Sequence, residues 1–76
     1  MPLATFPAPV QERRTFGQAL RARRLQGDGL RPHKVEWCCS VIGFTRKAWY
    51  NWESGAMLPS LEAYRAIQRL YPDLGV

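Results

Sequence analysis

The chain predicts an all-α domain, and three observations carry that prediction. No segment alternates apolar and polar residues as a half-buried strand would. Apolar residues instead recur at helical spacing in successive stretches. Between the stretches stand glycines and prolines, at Gly27-Asp28-Gly29, Gly43, Gly55, Pro59 and Pro72, where they end or open helices. With 76 residues there is room for one domain. A composition of 46% hydrophobic and 22% charged residues suits a folded chain and is too apolar for a disordered one.

Residues 1–14 carry Pro2, Pro7 and Pro9, and prolines at that density predict a flexible Pro-rich N-terminal arm. The helical domain is expected over 15–76. Its first helix is predicted over Phe16–Gln26, with Thr15 as N-cap, Phe16, Ala19 and Leu20 on one side, and Gly27 as the stop. Arg21, Arg23 and Arg24 give this helix a basic flank. A second helix is predicted from about Pro32, because proline suits a first turn whose N–H has no partner anyway. Val35, Cys38, Cys39 and Ile42 form its apolar stripe at i, i+3, i+4 and i+7. Gly43 ends it, Thr45 caps a third helix running from Arg46 to Glu53, and Gly55 closes that one. Pro59-Ser60 opens a fourth, lined by Leu61, Tyr64, Ala66, Ile67, Leu70 and Tyr71 and ended by Pro72.

Several classes of protein fall away at this point. No apolar run approaches the roughly 18 residues of a membrane span, and the start of the chain does not read as a secretory signal. Cys38 and Cys39 are adjacent, which ordinary disulfide geometry does not accommodate, so reduced thiols in the cytoplasm are expected. One histidine and two touching cysteines lack the spacing of a metal site, and neither metal nor cofactor is expected. An enzyme is not expected either, since Glu53, His33 and the cysteines form no nucleophile–base arrangement in the sequence. The charge balance is more suggestive. Eleven Lys and Arg against six Asp and Glu give +5 at pH 7, which suits a polyanionic partner or simply a solvated surface.

The central motif is a short helix, a tight turn at Gly43-Phe44-Thr45, and a second short helix whose Trp49 and Trp52 face inward. Two helices joined by a short Gly-containing turn form the helix-turn-helix layout. Gly43 suits a left-handed turn position, Phe44 plugs the turn into the core, and Arg46, Lys47, Tyr50 and Asn51 are left on the outer side. Cations at the positive end of a helix dipole are unfavourable by themselves. Arg46 and Lys47 at that end therefore point to an anionic partner.

The stretch from Cys38 to Gly55, with Gly43, Thr45, Trp52-Glu53 and Gly55 at matching offsets and Pro59-Ser60-Leu61 following, resembles the Cro/repressor-type, or lambda-repressor-like, helix-turn-helix family. The resemblance covers about Phe16–Leu70. Cys38-Cys39 replace the family's Leu-Ala pair as small apolar groups. The resemblance implies a compact four- to five-helix domain that binds double-stranded DNA as a nucleoid-associated transcriptional repressor. It makes Arg46–Asn51 the recognition helix, with Arg46, Lys47, Tyr50 and Asn51 meeting bases. His33, Lys34, Thr45 and the backbone near Gly55 are the expected phosphate contacts. It also pairs Glu53 with Arg24 on the first helix as a structural ion pair. A homodimer is expected, through the apolar tail Ile67, Leu70, Tyr71, Leu74 and Val76. The alternative is a protein-interaction module or antitoxin-type partner-binding protein on the same fold, docking through Trp37 and the arm.

Overall fold

The computed structural model describes residues 10–74, with side chains from Arg13 onward. Among them are four helices and no strand: α1 Val10–Gln26, α2 Val35–Ile42, α3 Arg46–Ser54 and α4 Leu61–Leu70. The all-α expectation holds. The arm's residues 1–9 and Val76 lie outside the described residues.

Helix α1 begins at Val10, ahead of the expected Phe16, so Thr15 is interior to the helix and is not its cap. Beyond Pro9 no proline remains to interrupt it, and Gln11, Glu12, Arg13 and Arg14 are good helix formers. The extra turns have a tertiary anchor. Arg13 Nε donates to the Gly55 carbonyl at 3.2 Å, tying the start of α1 to the turn after α3. Gly17 makes that approach possible, since a Cβ built on it stands 2.4 Å from the Trp52 carbonyl oxygen and 2.6 Å from that of Glu53. The usual penalty for glycine inside a helix is outweighed here by backbone-to-backbone packing of α1 on α3.

Helix α2 starts at Val35 rather than Pro32, with Lys34 as an N-cap that makes no side-chain capping bond. Local hydrogen bonds hold the preceding segment out of the helix. The Asp28 carboxylate accepts from the Leu30 and Arg31 N–H groups at 3.0 and 3.1 Å, an Asx turn that keeps its pKa below the usual value. The His33 N–H then reaches back to the Arg24 carbonyl at 2.9 Å. This captures one of the carbonyls that the end of α1 leaves open.

The remaining boundaries follow the expected punctuation. Gly43 sits at φ 80°, in the left-handed region, and its N–H bonds the Cys39 carbonyl at 2.8 Å. Thr45 caps α3 by accepting from the Ala48 N–H at 3.1 Å, and Ser60 caps α4 by accepting from the Ala63 N–H at 3.2 Å. Helix α4 ends at Leu70, one residue before the Tyr71-Pro72 step, where proline disfavours continued helix.

The core joins Phe16 and Leu20 of α1, Val35, Cys38 and Cys39 of α2, Trp49 and Trp52 of α3, and Ala63, Ala66 and Ile67 of α4, with Tyr71 behind them. Phe44 is half-buried and meets Trp52 edge-on, with ring centroids 5.6 Å apart, as the turn plug it was expected to be. The tail is a correction. Ile67 and Tyr71 are wholly enclosed by their own chain, so neither is free to face a second subunit. The Tyr71 hydroxyl stands 2.8 Å from His33 Nδ1 and 3.3 Å from Cys38 Sγ, and burial pushes its pKa far up. Both thiols are free and buried. Burial raises their pKa values too, so they remain inert thiols at neutral pH.

Candidate nucleic-acid interface

Helix α3 has two sharply different sides. Trp49 and Trp52, three apart, are buried, while Arg46, Lys47 and Tyr50 are exposed. The inward anchoring sets the rotation of the helix about its axis and thus decides which residues look outward. Glu53 fixes that rotation. Its Oε2 accepts from Arg24 Nε at 2.6 Å and from Trp49 Nε1 at 2.5 Å, and its Oε1 accepts from Arg24 Nη2 at 3.0 Å. The Arg24 Nη1 donates to the His33 carbonyl at 3.1 Å. One guanidinium therefore joins α1, the segment before α2, and α3. With side-chain exposures of 13% for Arg24 and 8% for Glu53, solvent screens this pair little. The hydrogen bond to Glu53 raises the Arg24 pKa further. The structural ion pair expected from the sequence is present.

An open groove lies beside α3, lined by Lys34, Val35 and Glu36 from α2 and its N-cap, by Arg46 and Tyr50 from α3, and by Arg24 beneath. It brings together three of the expected DNA contacts, Lys34, Arg46 and Tyr50. Thr45 stands exposed beside Arg46 at the start of α3, and because its oxygen only accepts at the cap, its hydroxyl proton is available to an anion. Lys47 is exposed on the outward side of the same turn.

The other expected contacts are placed elsewhere. The His33 ring lies between Trp37, at a centroid distance of 4.3 Å, and Tyr71, at 5.9 Å and nearly parallel. With Nδ1 held by the Tyr71 hydroxyl, one of the two ring nitrogens of His33 is engaged by the core rather than offered to a phosphate. The backbone at Gly55 is likewise engaged: its N–H bonds the Trp52 carbonyl at 3.3 Å and its own carbonyl accepts from Arg13. Asn51 is half-buried at the edge of the outer face, with Nδ2 3.9 Å from Met57 Sδ.

Glu36 is the feature the sequence reading missed. Its Oε2 accepts from Arg46 Nη1 at 3.0 Å, and both side chains are well exposed, at 68% and 62%. The two lie ten residues apart across the turn, a spacing at which no intrahelical periodicity announces a pair. The Trp49–Glu53 bond also went unread, although i and i+4 share a helix face. The Arg23–Asp73 pair, at 3.0 Å, went unread because it spans most of the chain.

Among the described residues, no group of three or more His, Cys, Asp or Glu side chains is placed to hold a metal ion. No described helix is long and apolar enough to cross a membrane. No family model, curated protein or solved structure matches the chain.

Proposed function

We propose that the chain is a lambda-repressor-like helix-turn-helix protein that binds double-stranded DNA and regulates transcription, most simply as a small repressor. The observation that carries this reading is the two-sided α3. Its inner side is locked by Trp49, Trp52 and the Arg24–Glu53 pair, and its outer side offers Arg46, Lys47 and Tyr50 beside Lys34. A rigid short helix with cations at its N-terminal end suits the major groove, where N-terminal residues of such a helix meet base edges. Arg46 and Lys47 match guanine O6 and N7, Asn51 matches adenine from the edge of the face, and Lys34 and Thr45 match flanking phosphates.

One such helix reads few base pairs, so the protein acts as a two-fold dimer on paired half-sites. Since Ile67 and Tyr71 are enclosed, the dimer contact falls to the half-buried Leu70 and Leu74 and the exposed Val41, beside an open groove lined also by Ile42, Ala66 and Arg69. The competing reading is a protein-docking module. It draws on exposed apolar residues such as Trp37 and, above all, Leu30, which is 91% exposed.

Selection from a random duplex pool, followed by a salt titration on the selected site, tests the proposal. A DNA reader yields an enriched half-site and an affinity that falls steeply with salt. An unenriched pool and a flat salt dependence refute it and favour the docking module.

A further inference from the structure

Glu36 is out of place on a surface that binds a polyanion, because a carboxylate beside phosphates weakens association. Its position gives it a different use. The 3.0 Å bond from Arg46 Nη1 to Glu36 Oε2 puts the tips of the two side chains at the same place, so whatever Arg46 reaches, Glu36 reaches too. The bond also leaves Arg46 Nε and Nη2 without an intramolecular hydrogen bond of their own, and one Glu36 oxygen free to accept. The pair thus presents donors and an acceptor side by side. In the major groove, guanine offers two acceptors, O6 and N7, and cytosine offers a donor, its N4 amine.

We propose that Glu36 is a specificity-determining residue: the Glu36–Arg46 pair reads a guanine next to a cytosine, Arg46 donating to the guanine and Glu36 accepting from the cytosine amine. The proposal rests on the DNA-binding reading above and deepens it. Thymine O4 and guanine O6 at the cytosine position would face the carboxylate as acceptor against acceptor, and both are rejected. Adenine also offers an amine, but its N7 acceptor stands beside it and repels the second carboxylate oxygen. The same carboxylate lowers binding to duplexes of unrelated sequence, so Glu36 gives up general affinity in exchange for discrimination.

The test is duplex selection with the parent, Glu36→Gln and Arg46→Ala, followed by competition binding on the selected site and its single-base variants. Both side chains are exposed and their hydrogen bond is with each other, so unchanged melting checks that the variants fold. Glutamine keeps the length and an acceptor but adds a donor and removes the charge, which suits adenine. The expected result is a parent site with adjacent guanine and cytosine. Glu36→Gln then retains the guanine, shifts the cytosine position toward adenine by about tenfold, and binds unrelated duplex more tightly. Arg46→Ala loses the guanine preference. If Glu36→Gln selects the parent's site with the parent's discrimination, or changes affinity equally for every sequence, the proposal is overturned while DNA binding stands. If the parent enriches no site at all, the proposal and the reading beneath it fall together.

Discussion

Replacing Arg24 by alanine is the sharpest perturbation of the site that leaves every exposed residue of α3 in place. The guanidinium makes two hydrogen bonds to Glu53 and one to the His33 carbonyl, and its removal leaves the Glu53 carboxylate with the Trp49 indole N–H. Breaking a buried pair from one side costs about 3–5 kcal/mol, because the surviving charge is stranded away from water. Glu53 keeps one donor in the Trp49 indole N–H, so the lower end applies, and we expect about 3 kcal/mol. A core of this size supplies only about 3–5 kcal/mol in total, so the variant retains no more than about 2 kcal/mol at room temperature. Its melting midpoint falls by roughly 15 °C, at about 4–8 °C per kcal/mol for a small domain. Denaturation followed by the fluorescence of buried Trp49 and Trp52 reads this directly. The double variant Arg24→Met with Glu53→Leu removes both charges together and should lose less than the sum of the two single variants, while still leaving the buried Trp49 indole N–H unpaired at a cost of about 1–3 kcal/mol. An Arg24→Ala midpoint equal to the parent's would refute the argument, as would a double variant whose loss equals the sum of the two singles.

Three further outcomes are expected. Gly17→Ala improves intrinsic helix propensity by about 1 kcal/mol, yet the new methyl meets two backbone carbonyls that cannot swing away, so the variant loses about 2 kcal/mol net on chemical denaturation; a stabilised variant would show that α1 and α3 do not approach as described. Arg46→Ala lowers affinity for the selected duplex by about 1–3 kcal/mol while leaving the melting curve alone, and equal binding by parent and variant would remove Arg46 from the interface. The Asp73 carboxylate is held below its usual pKa by the Arg23 guanidinium, so the fastening of the tail to α1 is complete above the unfolded value and weakens as pH falls through the lower, folded one. Chemical shifts of Asp73 and Arg23 followed from pH 6 to pH 2 should show this loss, and Asp73→Asn should abolish it.

What the sequence made legible, and what it did not, divides by the range of the interactions. Caps and turns are local: Thr45, Ser60, Gly43 and Gly55 each announce themselves within four residues, and their helix ends came out as expected. The inward tryptophans were legible because periodicity alone puts Trp49 and Trp52 on one face. The start of α1 was missed because its reason lies in the Arg13–Gly55 contact, 42 residues away in the chain. Pro32 misled for a related reason. It is acceptable in a first turn, but the Asx turn at Asp28 and the His33 to Arg24 backbone bond hold that segment extended. Within the candidate site, residue types identified Lys34, Arg46 and Tyr50. Tertiary neighbours then tied His33 Nδ1 to the Tyr71 hydroxyl and set Glu36, which the sequence did not single out, beside Arg46 in the groove. Ile67 and Tyr71 looked like interface residues because apolar side chains also close the core, and a sequence does not distinguish the two uses.

The clamp on α3, with Arg24 at its side and the start of α1 across its final turn, has a thermodynamic corollary. A segment held from both directions has no low-energy way to open on its own, so the amide hydrogens of Trp49 and Trp52 should exchange with solvent only through complete unfolding. On the proposed DNA-binding reading, the helix meets a duplex already ordered, and association carries little of the entropic cost that a folding-upon-binding segment incurs. Calorimetry should therefore give a heat-capacity change accounted for by the contact surface alone, with no excess from structure formed on the duplex.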